Sequence, residues 1–211
     1  MGREFVEIFD EWADSYDASV SGQDEEYAAV FEHYDAILEK VASIASGHTV
    51  EFGPGTGNLT EKLLAKGLTV TAYEPNNAMR IRTQDRFPAL NITDGDFLEF
   101  ELNEKPDTFV STYAFHHLTD QEKAQAANIY AAALPAGGQI VFADTIFETK
   151  EAKHAQWKKA EQQGYLNLLE DLKREYYTTI PVMNELLEDA GFAVSFKRMN
   201  EYVWLIHAVK K

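Results

Sequence analysis

Residues 48–58 read His-Thr-Val-Glu-Phe-Gly-Pro-Gly-Thr-Gly-Asn, a short apolar strand followed directly by a glycine-rich turn. A helical stretch over 58–66 comes next and ends at Gly67. A strand that runs through glycines into a helix opens an α/β sheet, and such sheets bind ligands at the carboxyl ends of their strands. This segment therefore predicts both the fold class and the place of a ligand site.

The alternation of strands and helices continues after this unit. Further strands are predicted at 68–74, 90–95, 107–113 and 139–144, and further helices at 76–87 and 119–134. Thr119 and Glu122 have the spacing of a capping box, which marks the start of the second of these helices. Strands and helices that alternate in this way form a mostly parallel sheet with helices on both faces.

The C-terminal end of the chain predicts a different kind of pairing. Two strands, 192–199 and 202–209, are separated only by Asn200 and Glu201. Two residues cannot form the crossover that parallel strands need, so these strands must pair as an antiparallel hairpin. The whole pattern predicts an α/β, Rossmann-like fold with a mostly parallel seven-stranded sheet and a C-terminal antiparallel hairpin.

Composition limits the classes of partner. The chain has 211 residues, 45% of them hydrophobic, with a formal net charge of −16 and no cysteine. Residues 1–46 alone hold 12 acidic and two basic residues. Nucleic acid and anionic membranes would repel such a chain, and the absence of cysteine excludes disulfides and thiolate metal sites. No signal peptide or membrane-spanning run is visible, which predicts a soluble cytoplasmic protein.

The glycine turn differs from the known phosphate-binding loops. Its glycines fall at the first, third and fifth positions (Gly53, Gly55, Gly57), whereas a dinucleotide fingerprint needs a glycine at the sixth position. By itself the turn has two open interpretations, a ligand cradle or a simple strand-to-helix connection. Acidic residues at the ends of the next two strands favour the cradle. Glu74 can accept hydrogen bonds from ribose hydroxyls, and Asp96-Phe97 can bind and flank an adenine.

Taken in order, these motifs resemble class I S-adenosylmethionine-dependent methyltransferases. The resemblance rests on Glu-x-Gly-x-Gly-x-Gly (51–57), an acid closing the second strand, Gly-Asp-Phe (95–97), Ser-Thr-Tyr-Ala-Phe-His-His-Leu (111–118), Leu-Pro-Ala-Gly-Gly (134–138) and the terminal hairpin. It runs from Trp-Ala-x-x-Tyr-Asp (12–17) to the last strand, and the chain is most similar to the bacterial YrrT-type methyltransferases, whose substrate is poorly defined.

The resemblance implies that S-adenosylmethionine is the cofactor. The backbone at Gly53 and Gly55 would approach its methionine part, and Glu51 would lie near the amino group. Glu74 would hold the ribose, and we expect its carboxylate to be accessible to solvent when no ligand is bound. Met79 either lines the adenine or ribose wall or packs in the core. Further residues expected at the cofactor are Gly57, Asn58, Pro75, Asp96, Phe97, Tyr113 and Tyr16.

Candidate catalytic residues follow the fourth predicted strand. Methyl transfer from a sulfonium needs mainly positioning and exclusion of water, and a general base only if the acceptor must lose a proton. His116 or His117 would act as base or substrate ligand, or both would simply pack and cap the loop. The sequence shows no metal-ligand spacing, so we predict no metal.

Four segments of a single domain, 1–211, follow from this reading. They are an N-terminal helical lid (1–46), a cofactor-binding half (47–146), a helical insertion or substrate lid (147–180) and a C-terminal helix with the hairpin (181–211). Aromatic residues in the two lids either pack their helices or roof an acceptor pocket; they are Trp12, Tyr16, Tyr27, Tyr34, Trp157, Tyr165, Tyr176 and Tyr177.

The predicted function is methyl transfer to a small, neutral or cationic molecule. Two alternatives stay open at this point. One is a nicotinamide-dependent oxidoreductase, which the glycine spacing and the terminal hairpin disfavour. The other is a non-catalytic protein that senses S-adenosylmethionine or S-adenosylhomocysteine, because cofactor motifs do not prove turnover.

Overall fold

Strands and helices alternate from residue 48 onward, and the structure, a computed structural model, describes residues 24–211. The strands are β1 (His48–Phe52), β2 (Thr69–Tyr73), β3 (Asn91–Thr93), β4 (Thr108–Thr112), β5 (Gln139–Thr145), β6 (Phe192–Arg198) and β7 (Val203–Lys210). The helices are α1 (Tyr34–Ile44), α2 (Asn58–Ala65), α3 (Asn77–Arg86), α4 (Asp120–Ala133), α5 (Lys150–Gln163), α6 (Leu166–Arg174) and α7 (Ile180–Asp189).

All seven strands form one sheet in the order β3-β2-β1-β4-β5-β7-β6. The first five strands pair in parallel, whereas β7 pairs antiparallel with both β5 and β6. The predicted seven-stranded sheet with its C-terminal hairpin is therefore confirmed. Because β1 lies between β2 and β4, the carboxyl ends of the strands that carry the predicted site residues meet at one edge.

Apolar side chains cover both faces of the sheet. On one face, α1 and α2 contribute Ile37, Val41 and Leu63 to a buried cluster. On the other, α4 and α7 pack against an aromatic group that includes Phe52 and Phe109. The predicted capping box fixes the start of α4, because the Thr119 side chain accepts from the backbone N–H of Glu122 and the Glu122 side chain reaches back.

Two segments differ from their sequence-based description. Residues 27–33, predicted to be helical, form a succession of turns that ends at His33, whose φ of 62° is left-handed, and α1 begins only at Tyr34. The helical stretch 148–174 is divided into α5 and α6, because Gly164 ends α5 with a φ of 75°. The first predicted helix, with Trp12 and Tyr16, lies outside the described residues.

The insertion begins and ends at the same place on the sheet. The backbone N–H of Phe147 donates to the carbonyl of Thr178 (3.1 Å), and the N–H of Ile180 donates to the carbonyl of Phe147 (2.8 Å). The helices α5 and α6 therefore leave the sheet and return to it next to the end of β5. Within residues 24–211, no helix has the length and apolar character needed to cross a bilayer.

Candidate functional site

The glycine turn between β1 and α2 leaves an open space above the end of β1. All three of its glycines have positive φ angles. A Cβ added at Gly57 would lie 2.8 Å from the Phe87 ring, so this position needs glycine for packing. A Cβ added at Gly55 would meet no atom of the described residues within 4 Å. Gly55, with its φ of 58°, therefore combines a left-handed backbone with the room that a ligand needs to lie against it.

Glu74 closes the turn from the side of β2. Its Oε2 accepts from the backbone N–H of Gly55 (3.1 Å), and its Oε1 accepts from the N–H of Asn76 (2.9 Å). The residue is only 5% exposed, which corrects the expectation of a solvent-accessible strand end. Burial raises the pKa of Glu74 to about 7, although these two hydrogen bonds oppose the rise. The carboxylate is thus part of the folded turn.

Glu51, on β1, is a second buried carboxyl group at this edge. It is 0% exposed, and its Oε2 accepts from the Thr60 hydroxyl at 2.6 Å. Among residues 24–211, its Oε1 has no hydrogen-bond partner. Burial raises the pKa of Glu51 to about 8, and the charge of Glu74 contributes to the rise. A buried carboxylate oxygen without a partner is costly, and a cationic or donating ligand group would remove that cost.

The residues expected around adenine are packed within the protein. The carboxylate of Asp96 accepts from the backbone N–H groups of Leu98 and Glu99, both at 2.9 Å, so it stabilises its own turn. Phe97 is 7% exposed and its ring lies 5.2 Å from that of Phe52. Met79 is buried in the same way. Contacts of Asp96, Phe97 and Met79 with adenine stay predictions.

Three further residues predicted at the cofactor lie around the same edge. The side chain of Asn58 bonds to Thr56 and Arg86 at the start of α2. Pro75 is half-buried directly after Glu74. Tyr113 follows β4 with a φ of 55°, an uncommon conformation for a residue with a side chain. Tyr16 lies outside the described residues.

The hydroxyl of Tyr113 is buried and has no hydrogen-bond partner within residues 24–211. Its ring packs 5.3 Å from the Phe31 ring and 5.4 Å from the Tyr34 ring. Strained backbone and an unsatisfied polar group at one residue are typical of functional sites. Tyr113 directly follows β4 and precedes the loop that carries the two histidines.

The two candidate catalytic histidines are each bonded to a buried carboxylate. His116 Nδ1 lies 2.6 Å from Asp144 Oδ1, at the end of β5, and His117 Nδ1 lies 2.8 Å from Glu175 Oε2, directly after α6. The histidine side chains are 11% and 14% exposed, and the carboxylates 2% and 7%. Their rings are neighbours, with centroids 4.3 Å apart.

Asp144 and Glu175, the carboxylate partners of the two histidines, were not among the residues predicted at the site. Asp144 closes its strand just as Glu74 closes β2, so its position carried a usable signal. Glu175 is 58 residues from His117, and only the tertiary fold brings the two together. For the same reason no spacing in the sequence indicated the group formed by His116, His117 and Glu175, whose nitrogen and oxygen atoms lie within 4.8 Å of one another. The expectation that no metal is bound stays a prediction.

Of the lid aromatics, one faces the histidines. The ring of Tyr177 lies 4.8 Å from that of His116. Others serve packing within the lids: the indole N–H of Trp157 donates to the Leu172 carbonyl at 2.9 Å, and the Tyr27 hydroxyl donates to Asp171. Tyr34 packs against Tyr113, with ring centroids 5.4 Å apart, so an aromatic roof over the acceptor pocket stays a prediction.

Comparisons with known proteins identify relatives. Residues 25–195 match the family described as "Methyltransferase domain". An uncharacterized methyltransferase of Anoxybacillus flavithermus is 51% identical over 212 residues, covering 100% of both chains.

Solved structures share the fold at low sequence identity. A Thermotoga maritima protein, described as an S-adenosylmethionine-dependent methyltransferase and possible histamine N-methyltransferase, has a TM-score of 0.68 and 16% identity, with 97% of this chain and 99% of that chain covered. The magnesium protoporphyrin IX methyltransferase of Synechocystis, with bound S-adenosylmethionine, has a TM-score of 0.62 and 14% identity, with 88% and 84% covered. These likenesses show a common architecture.

Proposed function

Because the chain belongs to the methyltransferase domain family and is a methyltransferase, we propose that its methyl donor is S-adenosylmethionine and its acceptor a small molecule. The observation that carries the proposal is the pair of buried carboxyl groups at the glycine turn. Glu51 keeps one oxygen without a partner among residues 24–211, and Glu74 accepts from the N–H of Gly55, beside the space at this glycine. This is a site for a ligand that carries positive charge and hydroxyl groups.

The donor fits these residues in charge and in hydrogen bonding. S-adenosylmethionine carries a sulfonium and an ammonium group, which two carboxylates attract, whereas they would repel the pyrophosphate of a nicotinamide dinucleotide. Glu51 is proposed near the ammonium group and Glu74 at the ribose hydroxyls. The turn at Gly53 and Gly55 would lie against the methionine part. These roles favour methyl transfer over hydride transfer.

The acceptor is proposed to bind next to the two histidines. His116 and His117 follow β4, the neighbour of β1, so the methyl group of a donor bound at the glycine turn would face this loop. One of the two would take a proton from the acceptor or bind it directly. Tyr177 and Tyr113 supply aromatic surface there. A net charge of −16 disfavours a nucleic-acid acceptor and is compatible with a small neutral or cationic one.

S-adenosylmethionine and S-adenosylhomocysteine should each raise the melting temperature of the purified protein. A ligand at 100 times its Kd stabilises the folded state by about 2.7 kcal/mol, a shift that differential scanning fluorimetry resolves. NADH is the matched control and should produce no shift. Folded protein that does not respond to either ligand at millimolar concentration would contradict the proposal. Formation of S-adenosylhomocysteine with thiols, amines or hydroxyl compounds then distinguishes an enzyme from a sensor.

The N-terminal segment is joined to the insertion, which supports a common role as a lid. Glu26 Oε2 accepts from the backbone N–H groups of Asn167 (2.9 Å) and Leu168 (3.1 Å), so Glu26 caps the first turn of α6. The hydroxyl of Tyr27 donates to Asp171 on the same helix. We propose that residues 1–46 and 147–180 together cover the ligand.

Deletion of residues 1–22 should leave a folded protein that binds S-adenosylmethionine weakly and transfers no methyl groups. Residues 27–208 supply an apolar cluster on each face of the sheet, so we expect the cooperative melting transition to persist. Loss of the cover would admit water to the site. Calorimetric binding and turnover of the shortened and full-length chains test this expectation. Normal turnover by the shortened chain would show that the segment is not a lid.

A further inference from the structure

Two histidines and two carboxylates from three separate segments form one buried group, defined here as the histidine–carboxylate cluster: His116, His117, Asp144 and Glu175. Asp144 is fixed first, because its oxygens accept from the backbone N–H groups of His116 (2.8 Å) and Thr145 (2.7 Å). Its Oδ1 also forms a hydrogen bond with Nδ1 of His116, at 2.6 Å. The second carboxylate comes from the insertion and bonds to His117 at 2.8 Å.

The first pair of the cluster is a carboxylate and an imidazole that stabilise each other's charged forms. Burial alone would raise the pKa of Asp144 and lower that of His116. The mutual attraction and the hydrogen bond between the two residues outweigh burial, so the pKa of Asp144 is lowered and that of His116 is raised. Both shifts favour an ion pair between His116 and Asp144.

The second pair has a different protonation state. Burial and the charge of His116 lower the pKa of His117, and the bond to Glu175 opposes this only in part. Burial raises the pKa of Glu175, but the hydrogen bond with His117 and the charge of His116 outweigh it, so the net shift is downward. His117 is therefore neutral beside an ionised carboxylate. A neutral imidazole that donates to a carboxylate through Nδ1 carries its lone pair on Nε2.

We propose that Glu175 is a positioning residue that holds His117 in the tautomer whose Nε2 takes the proton of the methyl acceptor. The proposal rests on the proposed function. When a nitrogen, oxygen or sulfur atom of the acceptor attacks the methyl carbon, the bond between that carbon and the sulfonium sulfur breaks and its electron pair stays on sulfur. The acceptor's proton passes to His117 Nε2, and the imidazolium so formed is stabilised by Glu175.

The insertion is bound to the histidine loop in a way that suits this role. The backbone N–H of Tyr176 donates to the His116 carbonyl at 3.1 Å. Two lysines, Lys123 on α4 and Lys153 on α5, donate to the carbonyls of Tyr176 and Tyr177, each at 2.7 Å. These bonds fix the backbone directly after Glu175 and so keep this residue beside the loop that carries the histidines.

Other charged and titratable groups face the cluster from neighbouring elements. Lys123 on α4 lowers the pKa of His116 through its charge, and Arg174 on α6 lowers that of Glu175. In the described part of the chain, Asp171 on α6, Tyr177 and Tyr113 also interact with the cluster. Glu175 is the carboxylate bonded to His117, at 2.8 Å. Removal of its charge should therefore change the pKa of His117 more than removal of a more distant charge.

Imidazole ¹⁵N NMR of the full-length protein tests the proposal without an acceptor. At pH 7 the parent should show His117 with a protonated Nδ1 and an unprotonated Nε2, and His117 should titrate below the ordinary histidine range. Glu175→Gln should lower its titration midpoint further, by about one pH unit, or shift its tautomer equilibrium. Glu170→Gln, which removes a charge from the exposed face of α6, is the matched control and should leave His117 unchanged.

Several results would overturn the assignment. They are a His117 that is doubly protonated at pH 7, one that carries its proton on Nε2, or a Glu175→Gln spectrum identical to that of the parent. Addition of one equivalent of ZnCl₂ is a further test, because His116, His117 and Glu175 have the composition of a metal site. Stoichiometric binding that shifts both rings in the parent and is lost in Glu175→Gln would replace the proton-transfer role by metal binding.

A kinetic comparison separates positioning from folding. With an acceptor found among thiols, amines and hydroxyl compounds, Glu175→Gln should lower kcat about tenfold or more and leave the Kd for S-adenosylmethionine unchanged. The pH profile of kcat should move with the NMR midpoint of His117. Equal kcat values for parent and variant would contradict the proposal. A parent that does not bind S-adenosylmethionine would instead contradict the proposed function, whatever the tautomer of His117.

Discussion

Replacement of Glu74 by alanine should weaken the binding of S-adenosylmethionine about 10- to 100-fold and should also lower the melting temperature. A charge-assisted hydrogen bond to a ribose hydroxyl contributes about 1.5–3 kcal/mol, and about 1.4 kcal/mol corresponds to a factor of ten in affinity. The loss of stability follows from the fold, because the carboxylate accepts from the N–H groups of Gly55 and Asn76. Without it, the half-buried N–H of Gly55 and the buried N–H of Asn76 lose their partner.

Two further variants separate the ligand contact from the structural contact. Glu74→Gln keeps one acceptor oxygen and should lose less affinity than the alanine variant. Glu99→Ala removes an exposed carboxylate at the same edge of the sheet and should change neither quantity. Isothermal titration calorimetry and thermal melts on the same preparations measure both effects. If Glu74→Ala melted lower but bound like the parent, Glu74 would be a structural residue and the ribose would lie elsewhere.

Glu51→Gln should weaken the binding of S-adenosylmethionine about tenfold or more, yet raise the stability of the ligand-free protein at alkaline pH. An ionised Glu51 is buried with one oxygen that has no partner within residues 24–211. A glutamine of the same shape removes that buried charge, and it also removes the attraction for a cationic ligand. Stability and binding should therefore change in opposite directions, as expected at a site preorganised for a ligand.

In the parent protein, stability and affinity for S-adenosylmethionine should also change in opposite directions as the pH is raised. Burial raises the pKa of Glu51 from 4.5 to about 8, so the folded chain binds this proton more tightly than the unfolded chain. Its contribution to stability is complete below about pH 4.5 and is lost as the pH rises toward 8. Affinity for a cationic ligand should rise over the same interval, because the ionised form attracts it.

Thermal melts and calorimetric titrations between about pH 5.5 and 8.5, the range over which carboxyl groups with these raised pKa values titrate, check the expectation. Glu51→Gln should flatten both pH profiles, leaving the smaller contribution of Glu74, whose pKa is about 7. Glu61→Gln, an exposed substitution on α2, should leave them unchanged. An affinity for S-adenosylmethionine that is independent of pH in the parent would show that Glu51 does not face a positive charge.

Local rules were sufficient to predict most of the fold. Two residues, Asn200 and Glu201, between two strands allowed only a hairpin, and the spacing of Thr119 and Glu122 located the start of α4. Where prediction was wrong, a single backbone conformation decided the outcome. His33 adopts a left-handed φ and ends a run of turns where apolar spacing indicated a helix. Gly164 divides the insertion into α5 and α6 by the same means.

The site was predictable only where its residues stand beside strand ends. Glu51 and Glu74 follow from that rule, and Asp144 obeys it as well. Their burial does not follow from it, because the exposure of Glu74 depends on how the glycine turn folds over the carboxylate. The partner of His117 belongs to a distant part of the chain. Neither charge nor periodicity distinguishes Glu175 from the other acids of the insertion.

Of the seven strands of the sheet, β7 is synthesised last, yet it lies between β5 and β6 rather than at an edge. Residues 48–145 supply all five parallel strands, including β1 and its glycine turn. These strands have therefore been synthesised before β6 and β7, and they can pair with one another before the hairpin exists. β6 has no neighbour until residues 203–210 follow it. Asn200, whose amide donates to the carbonyls of Val30 and Glu32, lies 170 and 168 residues from them in the chain. A chain that is truncated within β7 therefore has an unpaired strand edge at β5. Such an edge makes the truncated chain a target for aggregation and proteolysis.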